Sequence, residues 1–354
     1  MGLIRTLLAL AVMLGHAGYS SRGFLNPGLA VQCFYIISGF YMSLILTDKY
    51  RANTLFYSNR LLRLFPSYFV ALAATLAFVF AGNALLGFDW SGQISAPSFG
   101  AMIALLGANL VILGQDILCW FDVAPSGDLA LVGTVPDATP AWRFMLIPQA
   151  WSISLELMFY AMAPFLALLR TRWLIAIAVA SVAVRTMDVG MGYWLWPRRL
   201  FPGELCLFLF GMISFRAMRA MPDDISKFGI PALVCLIGLL LAHPHLPVNE
   251  QVTWALLYAA VAIALPFLFL RFKSSAADRR IGDLSYPIYL VHILAISIVD
   301  ALQVEWRLAA IFCVTILASV ALYYAVELPI ESVRRARASK HAEGEAAAKV
   351  AAAA

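Results

Sequence analysis

The sequence predicts an all-α protein: a polytopic helical bundle of the membrane, with about ten transmembrane helices plus one re-entrant or interfacial segment. Three observations support this fold class. Of the 354 residues, 62% are hydrophobic and only 13% are charged, whereas a soluble domain has roughly 45–50% apolar and 25% charged residues. Several apolar runs approach the roughly 20 residues that a helix needs to cross a hydrocarbon core about 30 Å thick. The basic residues, finally, are distributed unevenly between the segments that connect these runs.

Eleven apolar runs are the candidate helices of this bundle. In chain order they cover residues 3–19, 28–47, 65–87, 100–118, 149–169, 173–190, 200–216, 229–243, 251–270, 284–301 and 306–328.

The run at 100–118 is the one that we expect not to cross. If all runs crossed from a cytoplasmic N-terminus, segment 119–148, with three aspartates and one arginine, would face the cytoplasm against the positive-inside rule. If 100–118 instead dips in and returns, or lies along the interface, nineteen basic residues fall inside and five outside. Asn109 and Gln115 within this run also suit a broken, partly buried element. We therefore expect an inner (plasma) membrane protein with ten crossings and both termini cytoplasmic.

The remaining composition excludes other classes and marks the domains. Five widely spaced cysteines indicate neither a disulfide framework nor a metal site. The net charge of +5 comes from helix ends that face lipid headgroups, so it does not indicate nucleic-acid binding. Residues 1–331 are predicted to form one transmembrane domain. Residues 332–354 form a charged, Ala-rich cytoplasmic tail, which we expect to be frayed because it has nothing to bury.

Arg5 and His16 are the first candidate site residues. Ionisable side chains at membrane depth are costly, by roughly 3 kcal/mol at the centre, so each is a functional hypothesis. The two residues are eleven positions apart, which is about three helical turns and about 16 Å of rise, so they share a helix face. Arg5 could instead reach the lipid headgroups, and His16 could be a core histidine bonded to a backbone carbonyl. Their alignment on one helix face favours a functional pair, in which Arg5 binds an anion at one end of the face and His16 acts as a neutral base further along it.

Glu156 and Ser38 lie inside two other predicted spans. Glu156 could orient His16 as the acid does in a catalytic triad, or, protonated, could bond a neighbouring helix. Ser38 and Gly39 could form a small-residue packing site, or could let a slim ligand pass close to the backbone. His292 is a second histidine at membrane depth, and for it a structural role is favoured.

Arg60 and Arg63 precede a span on its predicted cytoplasmic side. They are three residues apart and so are neighbours on one helical face. Two adjacent guanidinium groups are well shaped to hold phosphate oxygens bidentately. On spacing alone, an anchor to lipid headgroups is the more common role of such a pair.

Taken together, these motifs resemble the membrane acyltransferase-3 family, whose members O-acylate surface polysaccharides and related acceptors. The resemblance rests on six features in a fixed order that spread over nearly the whole chain. They are Arg5 with His16, Phe34-Tyr35-Ile36-Ile37-Ser38-Gly39-Phe40, Arg60-Leu61-Leu62-Arg63-Leu64-Phe65-Pro66, Trp151-Ser152-Ile153-Ser154-Leu155-Glu156, Leu284-Ser285-Tyr286-Pro287-Ile288-Tyr289-Leu290-Val291-His292, and Glu327-Leu328-Pro329.

The resemblance implies roles for the candidate residues. His16 corresponds to the essential catalytic histidine, and Arg5 with the pair Arg60 and Arg63 to the acyl-CoA site near the cytoplasmic face. The family often carries an acidic residue before its Phe-rich motif. Here Gln32 and Cys33 occupy that neighbourhood, so the sequence departs from the pattern.

The predicted function is O-acyl transfer within the membrane. An acyl group, with acetyl expected, moves from cytoplasmic acyl-CoA to a hydroxyl of a glycan or lipid-linked sugar, with His16 as general base and Glu156 as its partner. The expected cofactor is acetyl-CoA or another acyl-CoA, without a metal, and Arg5, Arg60, Arg63 and Ser38 bind it. The expected partners are that acceptor and membrane lipids, not nucleic acid. The alternative is a glycolipid or small-anion transporter or flippase, since buried ionisable groups also line transport paths.

Overall fold

The computed structural model describes residues 1–19, 26–48, 53–82, 95–187, 199–247 and 249–353. Within these residues the chain is almost entirely helical. The helices of the first half are α1 (Gly2–Leu14), α2 (Pro27–Asp48), α3 (Asn53–Phe80), α4 (Phe99–Val111), α5 (Gln115–Leu118), α6 (Trp151–Leu168) and α7 (Thr171–Thr186). Those of the second half are α8 (Phe201–Arg219), α9 (Gly229–Ala242), α10 (Glu250–Phe272), α11 (Ala276–Asp283), α12 (Ser285–Ala301), α13 (Arg307–Leu322) and α14 (Leu328–Ala353).

The all-α polytopic bundle is confirmed. Among the described residues, nine helical segments are long and apolar enough to cross a bilayer: Gly2–Tyr19, Pro27–Thr47, Thr54–Phe80, Pro148–Leu168, Phe201–Arg219, Asp224–Ala242, Glu250–Phe272, Ala276–Ala301 and Arg307–His341. The remaining predicted crossing, 173–190, corresponds to α7, which has 16 residues and is shorter than the roughly 20 that a full crossing needs. The last three residues of that predicted run, and residues 83–87 of another, lie outside the described part of the chain.

The predicted re-entrant or interfacial segment is a short broken helix. Helix α4 has 13 residues, so it is about 20 Å long and too short to cross the hydrocarbon core. It ends at Ile112, which has a positive φ of 66°, and Gly114, with a φ of 94°, turns the chain into α5. The buried side chain of Asn109 holds the broken end in place: its amide donates to the carbonyls of Leu105 and Phe144.

A small antiparallel sheet and short 3-10 turns fill the connection between α5 and α6. Strand β1 (Phe121–Val123) lies between β2 (Leu129–Leu131) and β3 (Thr139–Pro140). These elements close over the N-terminal end of α6, the helix that carries Glu156.

Close packing of α2 against α8 forms the centre of the bundle. A Cβ atom on Gly39 would lie 1.8 Å from the carbonyl oxygen of Phe208, and one on Gly211 would lie 1.9 Å from that of Ile36. Neither position has room for a side chain, because the nearest atoms belong to backbone. Gly39 therefore has the packing role that the sequence left open for the Ser38-Gly39 pair.

This contact predicts a large loss of stability for a small substitution. Gly211→Ala should lower the free energy of unfolding by about 1–3 kcal/mol or more, because the added methyl group overpacks a backbone contact. The measurement is thermal unfolding of the purified protein in detergent. Gly238→Ala on α9 is the matched control, since in the described part of the chain no atom beyond its chain neighbours and its own helix backbone lies within 4 Å of the added Cβ. Equal melting temperatures for the two variants would contradict the packing argument.

A buried polar network joins α2, α7, α8 and α10. The Arg185 guanidinium lies 2.6 Å from the fully buried carboxylate of Glu204, and the Gln32 amide donates to the same carboxylate at 2.8 Å. The Tyr258 hydroxyl donates to the Gln32 carbonyl oxygen. The Gln32 amide is thus in direct contact with a carboxylate from α8.

The C-terminal tail differs from the prediction. We expected residues 332–354 to be frayed, but α14 continues without a break from Leu328 to Ala353. The tail consists mostly of Ala, Arg, Lys and Glu, which are strong helix formers, and Arg337 donates a hydrogen bond to Ser58 on α3, so local propensity and this contact favour a helix there. The predicted domain boundary after residue 331 falls inside this helix and stays a prediction.

Candidate active site

Three arginines predicted as site residues meet at one cavity. Arg5, Arg60 and Arg63 line a cavity of about 760 Å³ at one end of the bundle. Its wall also holds further basic residues and several acidic ones. The basic ones are Lys273, Arg279, Arg334 and Arg335, and the acidic ones are Asp278, Asp283, Glu327 and Glu331.

The arginines of this cavity differ in how they are held. Arg60 is 2% exposed, and its guanidinium carbon lies 5.8 Å from the ring centres of both Phe56 and Tyr160. Arg5 and Arg63 act on one another electrostatically as like charges. Within the described residues, neither Arg5 nor Arg63 makes a hydrogen bond or an ion pair within 4 Å. Two guanidinium groups in one cavity, without a carboxylate of the described residues in contact, have the chemistry to hold an anion.

Two of the acidic residues on the wall have hydrogen-bond or ion-pair partners of their own. Glu331 pairs with Arg334 at 2.6 Å and with Arg335 at 2.9 Å, while Glu327 accepts a hydrogen bond from Ser67 at 3.3 Å. Asp283 and Glu327 act electrostatically on Arg5 and Arg63, but among the described residues no carboxylate lies within ion-pair distance of either guanidinium.

A narrow pocket of about 90 Å³ continues from this cavity into the bundle. Arg5, Tyr41, Arg63 and Tyr286 line both spaces, so the two adjoin. One face of α2 forms a wall of the narrow pocket, with residues at the three- and four-residue spacing of a single helical stripe. They are Val31, Phe34, Tyr35, Ser38, Tyr41 and Met42.

Glu156 and Ser38 meet in the middle of the narrow pocket. The Ser38 hydroxyl donates to the Glu156 carboxylate at 2.7 Å, and the Tyr160 hydroxyl donates to the same oxygen. The carboxylate has no hydrogen bond to His16 among the described residues. Of the two arrangements considered for Glu156, the structure contains the bond to a neighbouring helix. Its role as a catalytic residue stays a prediction.

His16 is paired with the second histidine instead. It lies on a π-helical turn (Gly15–Tyr19) that follows α1, where Gly18 adopts a φ of 90°. Its Nδ1 is 3.0 Å from Nε2 of His292 on α12, and the ring centres are 5.1 Å apart with an interplanar angle of 26°. His292 is fully buried, whereas His16 is exposed.

Tyr289 connects the narrow pocket to this histidine pair. It lines the inner end of the pocket, and its ring centre lies 5.8 Å from that of His292. The Tyr289 hydroxyl is 2.6 Å from the hydroxyl of Ser152, a second residue at that end. The pocket thus extends from the arginines to within one aromatic ring of the pair.

Arg199 is a functional candidate that sequence reasoning missed. Its guanidinium carbon lies 3.5 Å over the Trp151 ring, and its charge lies within electrostatic range of His16 and of the nearby Asp116. Burial raises the pKa of the Asp116 carboxyl, against the lowering effect of a 2.5 Å hydrogen bond from Ser154. In the sequence Arg199 looked like one of a few basic residues on the outer side. A cation among aromatic residues was the signal that could have identified it.

Comparison with known proteins identifies the family to which the chain belongs. Residues 1–325 match the family model described as an acyltransferase domain, acyltransferase 3. The chain is 25% identical over 355 residues to the “Exopolysaccharide production protein ExoZ” of Rhizobium meliloti (strain 1021), an alignment that covers 94% of this chain and 98% of that protein.

A second relative matches part of the chain. This is the “Putative membrane-bound transacylase BcsY” of Komagataeibacter xylinus, 33% identical over 186 residues, with 51% of this chain and 41% of that protein covered. No solved structure shows a significant match.

Proposed function

The chain belongs to the acyltransferase-3 family and is a multi-pass membrane acyltransferase, and from this premise we propose that it O-acylates an exopolysaccharide or its lipid-linked precursor. The donor is a cytoplasmic acyl-CoA, with acetyl-CoA expected. The acceptor class is supported by the relative from Rhizobium meliloti, whose name refers to exopolysaccharide production and whose alignment covers 94% of this chain.

One observation supports the donor most directly: Arg5 and Arg63 share a cavity of about 760 Å³, and no carboxylate of the described residues contacts either of them. Coenzyme A carries phosphate groups at one end, and guanidinium groups bind phosphate oxygens bidentately. Arg60 lies in the same wall. We therefore place the nucleotide end of acyl-CoA in this cavity.

The same cavity indicates the orientation in the membrane. Its basic residues are ones that the positive-inside rule assigns to the cytoplasm, and they come from helices at both ends of the chain. We place this end of the bundle, with both termini, on the cytoplasmic side of the inner membrane.

The narrow pocket suits the pantetheine arm. This arm is slim and uncharged, and beyond Arg5 and Arg63 the pocket is lined mainly by aromatic and aliphatic side chains, together with the Glu156 carboxyl group that Ser38 and Tyr160 hold by hydrogen bonds. A thioester that follows the pocket from Arg5 and Arg63 arrives at Tyr289, beside the histidine pair. Arg5 and His16 lie eleven residues apart, about 16 Å along one helix.

His16 is the group that we assign to the chemical step. As a neutral imidazole it takes the proton of the acceptor hydroxyl while that oxygen forms a bond to the thioester carbonyl carbon. The carbon–sulfur bond then breaks, and His16 returns the proton to sulfur, which leaves as the CoA thiol. His16 is exposed as a residue on the turn after α1, and we place the acceptor on that exposed side.

The function is tested by the acyl content of the polysaccharide. Deleting the gene should remove an ester-linked acyl group from the exopolysaccharide of the producing cells, and returning the gene should restore it. Mass spectrometry of the purified polysaccharide measures both changes, and the mass of the lost group distinguishes acetyl from succinyl. The same acyl content in all strains would contradict the proposal.

A further inference from the structure

We propose that His292 is a positioning residue that holds His16 in the one tautomer able to act as the base at its outer nitrogen. The inference rests on the proposed function, in which His16 takes a proton from the acceptor. It concerns a residue for which the sequence favoured a structural role alone.

The hydrogen bonds of His292 determine where its proton lies. Its Nδ1 is 2.8 Å from the carbonyl oxygen of Tyr289. A carbonyl oxygen can only accept, so Nδ1 of His292 carries the hydrogen and donates it. In a neutral imidazole the other nitrogen, Nε2, then has a lone pair and accepts.

The position of the hydrogen on His292 determines the position of the hydrogen on His16. Nε2 of His292 lies 3.0 Å from Nδ1 of His16, so an accepting Nε2 requires a hydrogen on Nδ1 of His16. The lone pair of the neutral His16 ring is thereby placed on its Nε2. When His16 takes up the acceptor proton there, its Nδ1–H still donates to His292, so the imidazolium keeps a hydrogen-bond acceptor.

The Tyr289 carbonyl group, which accepts the hydrogen bond from His292, is itself held by further hydrogen bonds. The Tyr289 carbonyl also accepts from the side-chain amide of Gln149 at 3.2 Å, and the same amide donates to the Leu290 carbonyl at 2.8 Å. The Tyr289 hydroxyl donates to the Gln149 carbonyl at 2.8 Å. The carbonyl that fixes His292 therefore has little freedom to move, as a second shell that orients a catalytic histidine requires.

Three substitutions separate this role from packing. His292→Phe keeps a ring but removes the acceptor. His292→Gln places an amide oxygen close to where Nε2 lies and so restores an acceptor for His16. His292→Asn is polar but too short to reach. Under a packing role Phe should be tolerated best, and under the positioning role Gln should be.

The kinetic test uses purified full-length protein in detergent, acetyl-CoA, and exopolysaccharide from the producing cells, with released CoA thiol as the readout. We expect His292→Phe and His292→Asn to lower kcat by about 100-fold, within the range of a lost acid–base contribution, with KM for acetyl-CoA nearly unchanged. His292→Gln should retain about tenfold more activity than either. Equal kcat for the Phe and Gln variants, or wild-type kcat in the Phe variant, would overturn the inference.

A spectroscopic measurement tests the tautomer without turnover. In protein labelled with ¹⁵N-histidine, the signals lost in His16→Ala identify His16, and we expect them to show the Nδ1–H form in the wild type. His292→Phe should mix the two tautomers. If His16 carries its hydrogen on Nε2 in the wild type, the positioning role of His292 is refuted even if the enzyme acylates its acceptor. Full activity of His16→Ala would refute the assignment of His16 as the base while leaving the tautomer result intact, and unchanged acyl content after gene deletion would refute the proposed function itself.

Discussion

Replacing His16 with alanine is expected to abolish acyl transfer and to leave the fold intact. General base catalysis by a positioned side chain contributes about 10²–10⁴-fold to a rate, so turnover should fall by about 1000-fold. The fold should survive because His16 lies on an exposed turn after α1, where its side chain is held only by His292 and by the backbone of Val12 in the described residues. The measurement is release of CoA thiol from acetyl-CoA in the presence of exopolysaccharide, with elution volume and melting temperature as checks on folding.

The matched control for this prediction is His245→Ala. His245 is an exposed histidine in the 3-10 turn His243–His245 after α9, away from the residues that line either pocket. It should keep full activity. Wild-type turnover in the His16 variant would remove the general-base assignment. Loss of turnover in both variants would point to a general effect of histidine replacement.

Much of the fold could be predicted from the sequence because the membrane constrains it so strongly. A helix that satisfies its own backbone hydrogen bonds is the structure that a long apolar run adopts in lipid, so helix positions follow from hydropathy. The break in 100–118 was readable from Asn109 and Gln115 and from the charges that follow. The length of α7 was not, because Arg185 lies within the predicted run 173–190 and its ion-pair partner, Glu204, is on another helix, which no local pattern shows.

The site was predictable only where its residues share one helix or one motif. Arg5 and His16 lie on one face of one helical segment, and Arg60 and Arg63 lie one turn apart, so their grouping follows from helix geometry. The pairing of His16 with His292 joins residues 276 positions apart in sequence, and no local pattern shows that α1 packs against α12. Glu156 was assigned to His16 on depth alone. The depth of a residue in the membrane gives its position along the membrane normal but not which neighbouring helix its side chain meets. In the structure Glu156 contacts Ser38 on α2.

The second large effect is expected from Arg5→Gln combined with Arg63→Gln. A hydrogen bond to a charged group contributes about 1.5–3 kcal/mol, so losing two guanidinium groups should raise the Kd for CoA by about 100-fold or more. Isothermal titration calorimetry of CoA into the detergent-solubilised protein measures this change. Arg172→Gln is the matched control, since Arg172 is exposed at the start of α7 and does not line the cavity.

The stability of the same double variant distinguishes an anion site from a lipid anchor. The two arginines repel one another, nearby carboxylates such as Glu327 attract Arg63, and no carboxylate contacts either arginine in the described residues. Removing the pair should therefore lower the melting temperature of the CoA-free protein only slightly. A ligand that binds only the native state raises the melting temperature through mass action, so CoA should stabilise the wild type and no longer stabilise the variant. If Arg5 and Arg63 bind phosphate, the double variant should no longer be stabilised by CoA, while its melting temperature without CoA should stay close to that of the wild type. Arginines that anchor the protein to lipid headgroups predict the opposite result. An unchanged Kd for CoA together with poorer membrane insertion of the variant would show that Arg5 and Arg63 bind lipid and not CoA.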